Sequence, residues 1–178
     1  WLRLKLIADI GFVGLPNAGK STLLKKLSNA KPKVADYPFT TLKPQLGLFR
    51  SDPKDIILAD LPGLIKGASD GAGLGLKFLA HIERCKIILH ICDISSENFN
   101  QLLENYKIIR NELESYSKST SEKNEIIVLS KCDLINRNQL KERIKLLKKC
   151  TQSKIITVSC YSNFGIEKLK LILMKSIK

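Results

Sequence analysis

Apolar runs of strand length alternate with stretches of helical spacing from one end of this chain to the other. Residues 6–13, 46–49, 56–59, 86–93, 125–129 and 154–158 read as strands. Residues 22–27, 76–84, 99–115, 138–150 and 164–177 repeat their apolar side chains at helical intervals. Most of the strands are apolar almost throughout, as expected of strands buried on both faces. This order predicts an α/β domain: a mostly parallel six-stranded sheet with helices on both faces. Residues 29–41 carry two prolines and mixed polarity and read as an extended loop, and residues 51–53 read as a turn. Residues 66–75 are too rich in glycine for a regular element and read as a mobile loop, and residues 117–122 read as a polar connector.

Polar residues collect where the strands end. The first strand runs into Gly14, Leu15, Pro16, Asn17, Ala18, Gly19, Lys20 and Ser21, which spell G-x-x-x-x-G-K-S, and Thr22 then opens a helix. Strand, glycine loop and helix form the context in which this motif cradles phosphate. Successive backbone N–H groups converge on phosphate oxygens, and the helix dipole adds positive potential. Lys20 reaches the β- and γ-phosphates, and the Ser21 hydroxyl sits on Mg²⁺. The third strand ends in Asp60-Leu61-Pro62-Gly63, the fifth in Ser130-Lys131-Cys132-Asp133, and the sixth in Ser159-Cys160-Tyr161. An open α/β sheet binds its ligand at this carboxyl edge. Four such motifs in this order are far more specific than any one alone.

A chain of 178 residues is most simply one domain with a sizeable core. None of its apolar runs approaches the roughly 20 residues of a membrane span. The chain opens on Trp1 and its single methionine is Met174, so it is expected to be a piece of a longer protein. Five cysteines without C-x-x-C spacing point to reduced thiols and a cytoplasmic setting. The formal charge of +13 suits a surface that docks on nucleic acid or a ribonucleoprotein, and equally a set of lysines solvated on outer helix faces. Aromatic residues do not interleave with the basic ones, so stacking on single strands is unsupported. His90, inside an apolar strand, reads as a hydrogen-bonded core residue, and no His/Cys constellation suggests zinc.

These motifs, together with Ala30–Leu42, residues 60–68, Gly71-Ala72-Gly73-Leu74-Gly75 and Phe78-Leu79-Ala80-His81-Ile82-Glu83-Arg84, resemble the GTP-binding (G) domain of P-loop GTPases of the Obg family. The resemblance spans nearly the whole chain. The run Tyr37-Pro38-Phe39-Thr40-Thr41 and the later His81-Ile82-Glu83-Arg84 are its most diagnostic parts. It implies one GTP-binding domain over residues 1–178, lacking the glycine-rich N-terminal domain of the family. It also implies Mg-dependent GTP binding, slow hydrolysis and a role in large ribosomal subunit assembly.

The resemblance extends to individual residues. Thr41 would hold Mg²⁺ and the γ-phosphate, with Phe39 and Thr40 beside it. Asp60 would hold Mg²⁺ through water, and Gly63 would offer its N–H to the γ-phosphate. Loss of that phosphate would release both loops. Leu64 stands where small G proteins carry a glutamine that orients the attacking water. Asn17 implies a K⁺ ion beside the phosphates, neutralising charge as an arginine finger does; it also fits a residue that only shapes the turn. Asp133 would accept two N–H donors from guanine, Lys131 would lay its stem along the base, and Leu134 follows them. Ser159-Cys160 resembles the pair whose backbone meets the guanine oxygen, with Tyr161 next. Ser130 replaces the family's asparagine, which removes an amide bracing the loop or the base.

GTP and GDP are the expected ligands, and a ribosomal particle or its RNA is the expected partner. The isolated domain is expected to be monomeric. The same residues also fit a nucleotide-gated ribosome-binding module with negligible turnover, or an ATP-preferring relative.

Overall fold

The structure, a computed structural model, describes residues 8–34, 44–50, 52, 55–60, 74–96 and 98–177. Along these the chain forms β1 (Ile10–Val13), α1 (Lys20–Leu27), β2 (Lys33–Val34), β3 (Gln45–Phe49), β4 (Ile56–Asp60) and α2 (Leu74–Glu83). It continues with β5 (Ile87–Asp93), α3 (Phe99–Tyr116), α4 (Lys118–Ser121), β6 (Asn124–Ser130), α5 (Arg137–Leu147), β7 (Lys154–Thr157) and α6 (Ile166–Ser176).

The strands join in one sheet of order β2-β3-β4-β1-β5-β6-β7. β4, β1, β5, β6 and β7 are mutually parallel, and β3 and β2 add an antiparallel edge. Side chains alternate between the two faces, so both must be apolar. Ile10, Phe12, Leu89, Ile91, Ile126 and Val128 pack on one side against Leu23, Leu24 and Leu27 of α1 and Leu169 and Leu173 of α6. Val13 and Ile88 on the other side meet Leu79 and Ile82 of α2 and Ile109 and Leu113 of α3. Ile127 and Leu129 extend that side toward Leu102 and Tyr106 of α3 and Leu147 of α5. Covering both faces fixes the strands by their apolar area, and five strand ends then open on one edge.

The described part of the sheet has seven strands, not the expected six. The addition is β2, within the expected loop. Its two residues are both exposed, so it has no buried face and leaves no trace in the apolar pattern. The expected connector at 117–122 contains α4, a single turn. The Ser117 side chain caps it by accepting the Thr120 N–H, and Thr120 is fully buried. The regular part of the first strand begins at Ile10; Asp9 before it is tied to both neighbours by its backbone, and its carboxylate accepts Ile57 N–H and pairs with Lys86. α6 begins at Ile166, two residues later than expected, because Gly165 adopts φ 75. α5 opens at Arg137 on a capping box between Asn136 and Gln139. The expected loop at 66–75 and turn at 51–53 lie largely outside the described residues.

Candidate nucleotide-binding site

The phosphate loop is shaped by backbone sterics at two glycines. Gly14 has φ 146, and a Cβ there would lie 2.3 Å from Ile91 O, so the loop can seat against β5 only with glycine. Gly19, at φ 96, turns the chain into α1 and is its N-cap with no side-chain cap bond. The first N–H groups of α1 therefore face outward as donors. Asn17 is also left-handed, at φ 63, and exposed. Lys20 folds back across the loop and donates from Nζ to Gly14 O (2.8 Å) and Leu15 O (2.9 Å). Burial lowers the Lys20 pKa, and the nearby Asp60 carboxylate opposes this.

β4 delivers Asp60 beside the end of β1, where it registers with Phe12. Asp60 Oδ2 accepts the Ser21 hydroxyl at 2.5 Å. Its Oδ1 is buried and has no hydrogen-bond partner among the described residues. An alcohol and a carboxylate with a spare, buried oxygen form a hard-oxygen donor set of the kind Mg²⁺ takes. The residues present thus fit the ion.

The other end of this edge is built from β6 and the segments after it. Ser130 closes β6, Lys131 turns left-handed at φ 57, and Cys132–Leu134 form one 3-10 turn. A cavity of about 280 Å³ is lined by Gly19, Thr22, Ser130, Lys131, Asp133, Leu134, Cys160 and Tyr161. Phosphate loop and Asp133 therefore open on one space. Leu134 and Tyr161 form an apolar rim, 64% and 90% exposed, suited to the faces of a flat base. Ser159 is fully buried and takes no part in this lining. Its N–H donates to Phe164 O, and its Oγ accepts Ser162 N–H, so it braces the segment that presents Cys160. Leu15 and Pro16 line a second space of about 200 Å³ behind the loop.

Ser130 keeps part of what an asparagine would do. Its hydroxyl is within reach of Ala18 O (2.7 Å) and Cys92 O (3.2 Å), tying the loop to the sheet. The single proton serves one carbonyl at a time, so the brace is one neutral bond, about 0.5–1.5 kcal/mol net. Sequence reading missed Asp93, the last residue of β5, whose Oδ2 meets Lys131 Nζ at 2.5 Å. The available signal was an aspartate ending an apolar strand on the edge that carries the other motifs. Phe39, Thr40, Thr41, Gly63 and Leu64 lie outside the described residues.

His90 is a core residue, as expected. It is 1% exposed, stacks on Tyr106, and pairs through Nδ1 with Glu125 Oε1 at 2.9 Å. Burial works to lower its pKa, but Cys92 and the Glu125 carboxylate outweigh this and raise it to about 10. With the folded pKa above the ordinary 6.5, the pair's contribution is complete below that pH and is lost as pH rises toward 10. Glu125→Ala is expected to destabilise the domain by about 3 kcal/mol at pH 6, with the gap narrowing by pH 10; thermal unfolding against pH reads it.

Loop, hydroxyl–carboxylate pair and base cavity along one edge of a parallel sheet define a P-loop nucleotide-binding domain. A family model described as "50S ribosome-binding GTPase" matches residues 9–131. The chain is 52% identical to the GTPase Obg of Pelagibacter ubique over 99% of its length, and 49% identical to the GTPase Obg of Rickettsia felis. It spans 53% of the length of each of these relatives. Among solved structures it matches the G domain of the T. maritima FeoB iron transporter with TM-score 0.71 at 22% identity, covering 96% of this chain and 99% of that one. The cytosolic domain of L. pneumophila FeoB matches with TM-score 0.69 at 22% identity, covering 94% of this chain and 67% of that one. At such identity these two likenesses speak for the fold. The chain belongs to the 50S ribosome-binding GTPase family, and its relatives at about half identity within it are Obg GTPases.

Proposed function

We propose that this chain is the guanine-nucleotide switch of a longer protein. It binds GTP with Mg²⁺, hydrolyses it slowly to GDP and phosphate, and couples the exchange to assembly of the large ribosomal subunit. The observation that carries the reading is the single cavity shared by Gly19, Thr22 and Asp133. A triphosphate held in the loop extends its base toward that carboxylate.

In this reading Lys20 leaves the loop carbonyls for the β- and γ-phosphates, and the α1 N–H donors hold their oxygens. Ser21 would hold Mg²⁺, Asp60 would hold it through water, and Thr41 would be a further ligand; when bound, the ion would supply positive charge where the phosphates gather negative charge. Gly63 donates its N–H to the γ-phosphate. Asp133 selects guanine, Lys131, Leu134 and Tyr161 confine its faces, and Cys160 meets its oxygen. Asn17 would hold K⁺ beside the phosphates: it is exposed and its side chain makes no hydrogen bond to the described residues. The domain itself is the monomeric unit of a cytoplasmic protein, and its basic surface faces the ribosomal particle or its RNA.

Single-turnover phosphate release from GTP tests the reading. Release is expected to be faster in KCl than in NaCl at equal ionic strength; equal rates would remove K⁺ from the account. Leu64, with no group to orient water, favours a second reading in which the bound nucleotide only gates ribosome binding. Tight GTP binding without phosphate release in either salt would select it. Preference for ATP in competition would remove the guanine role of Asp133.

A further inference from the structure

Lys131 does not stand alone at the base cavity. Its ammonium meets Asp93 Oδ2 at 2.5 Å, on the neighbouring strand β5, where Asp93 is in register with Ser130. The carboxylate is itself fixed. Its Oδ1 accepts Ser95 N–H at 2.9 Å and Ser95 Oγ–H at 2.6 Å, which leaves Oδ2 aimed at the lysine. The segment carrying these donors is pinned in turn. Ile94 N–H donates to Ser130 O (3.1 Å), and the buried Arg143 of α5 donates through Nη1 to Ile94 O and Ser96 O. Asp93 and Lys131 side chains are 29% and 36% exposed, so water screens the pair only in part.

A lysine stem is flexible, and holding it in one rotamer costs side-chain entropy. Lys131 lines the cavity, and a fixed anion at its tip stops it sweeping the space. Ordering is then complete before a base arrives, which raises affinity without any added contact to the ligand.

We propose that Asp93 is a positioning residue of the guanine site: it holds Lys131 so that the stem forms a preset wall for the base. This rests on the guanine-nucleotide reading above. Asp93 does not touch the nucleotide; it acts through Lys131. The pair therefore works as one unit, and its two substitutions are not independent.

The test is calorimetric titration of Mg²⁺·GDP into wild type, Asp93→Ala, Lys131→Ala and the double variant. Asp93→Ala is expected to weaken binding about three- to tenfold. In the Lys131→Ala background the same change is expected to add less than about twofold. Asp93→Asn keeps an acceptor for Ser95 but not the charge, and is expected to match Asp93→Ala; it also carries the test if the alanine variant fails to unfold cooperatively. Independent, multiplying losses, or GDP binding by Asp93→Ala or Asp93→Asn as tight as wild type or tighter, would overturn the proposal. Asp133→Asn run alongside separates the two readings. If it too binds GDP normally, the guanine site itself is wrong; if it loses GDP while the Asp93 cycle is additive, only the positioning role falls.

Discussion

Asp133→Asn is expected to lower affinity for GDP by about two to three orders of magnitude and to raise affinity for xanthosine diphosphate. A carboxylate offers acceptors only, and guanine's Watson–Crick edge presents two adjacent N–H donors to it. An amide in its place turns one donor toward the base, so one guanine N–H faces N–H. Losing one charge-assisted bond and burying a mismatched donor together amount to about 3–4 kcal/mol. Xanthine carries a carbonyl where guanine has its amino group, and the new donor suits it. Leu134, Cys160 and Tyr161 line the cavity beside Asp133. Competition titration with GDP, XDP and ADP measures it. Unchanged GDP affinity would show that the base lies elsewhere.

Lys20→Ala is expected to weaken GTP binding at least a hundredfold, with a smaller loss for GDP. In the structure the ammonium already satisfies itself on Gly14 O and Leu15 O. The change it makes on binding is from neutral carbonyls to charged phosphate oxygens. Charge-assisted bonds are worth about 1.5–3 kcal/mol each, and a lysine tip can make two. GDP keeps only the β-phosphate partner and so loses less. Fluorescent-nucleotide titration of both ligands reads the ratio, and equal losses for GDP and GTP would place Lys20 away from the γ-phosphate.

The phosphate loop could be read directly because its spacing is local: eight consecutive residues hold the shape, and glycine chemistry explains two of them. The proposed base site is harder. Asp133 lies more than a hundred residues beyond the loop, and the rule that ligands gather at the carboxyl edge of parallel strands, with the family resemblance, brought it into the same account. Asp93 obeys the same rule yet was missed, since its partner lies 38 residues away and a lone aspartate at a strand end carries no spacing. The edge strand β2 and the one-turn helix α4 were invisible for another reason. Neither repeats an apolar face; one is held by pairing and the other by the Ser117 cap. The burial of Ser159 was likewise not readable, because its place is set by a bond from its own N–H to Phe164 O.

The short bond from Ser21 to Asp60 has a consequence for the order of arrival at this cleft. The proton goes from Ser21 to Asp60 Oδ2, so the hydroxyl's lone pairs would remain for Mg²⁺ and the unpartnered Oδ1 for a water on it. So few protein oxygens would hold the ion weakly, and a triphosphate would add the others that its octahedral shell needs. Magnesium is therefore expected to bind tightly only together with nucleotide, which titration of Mg²⁺ with and without GDP reads.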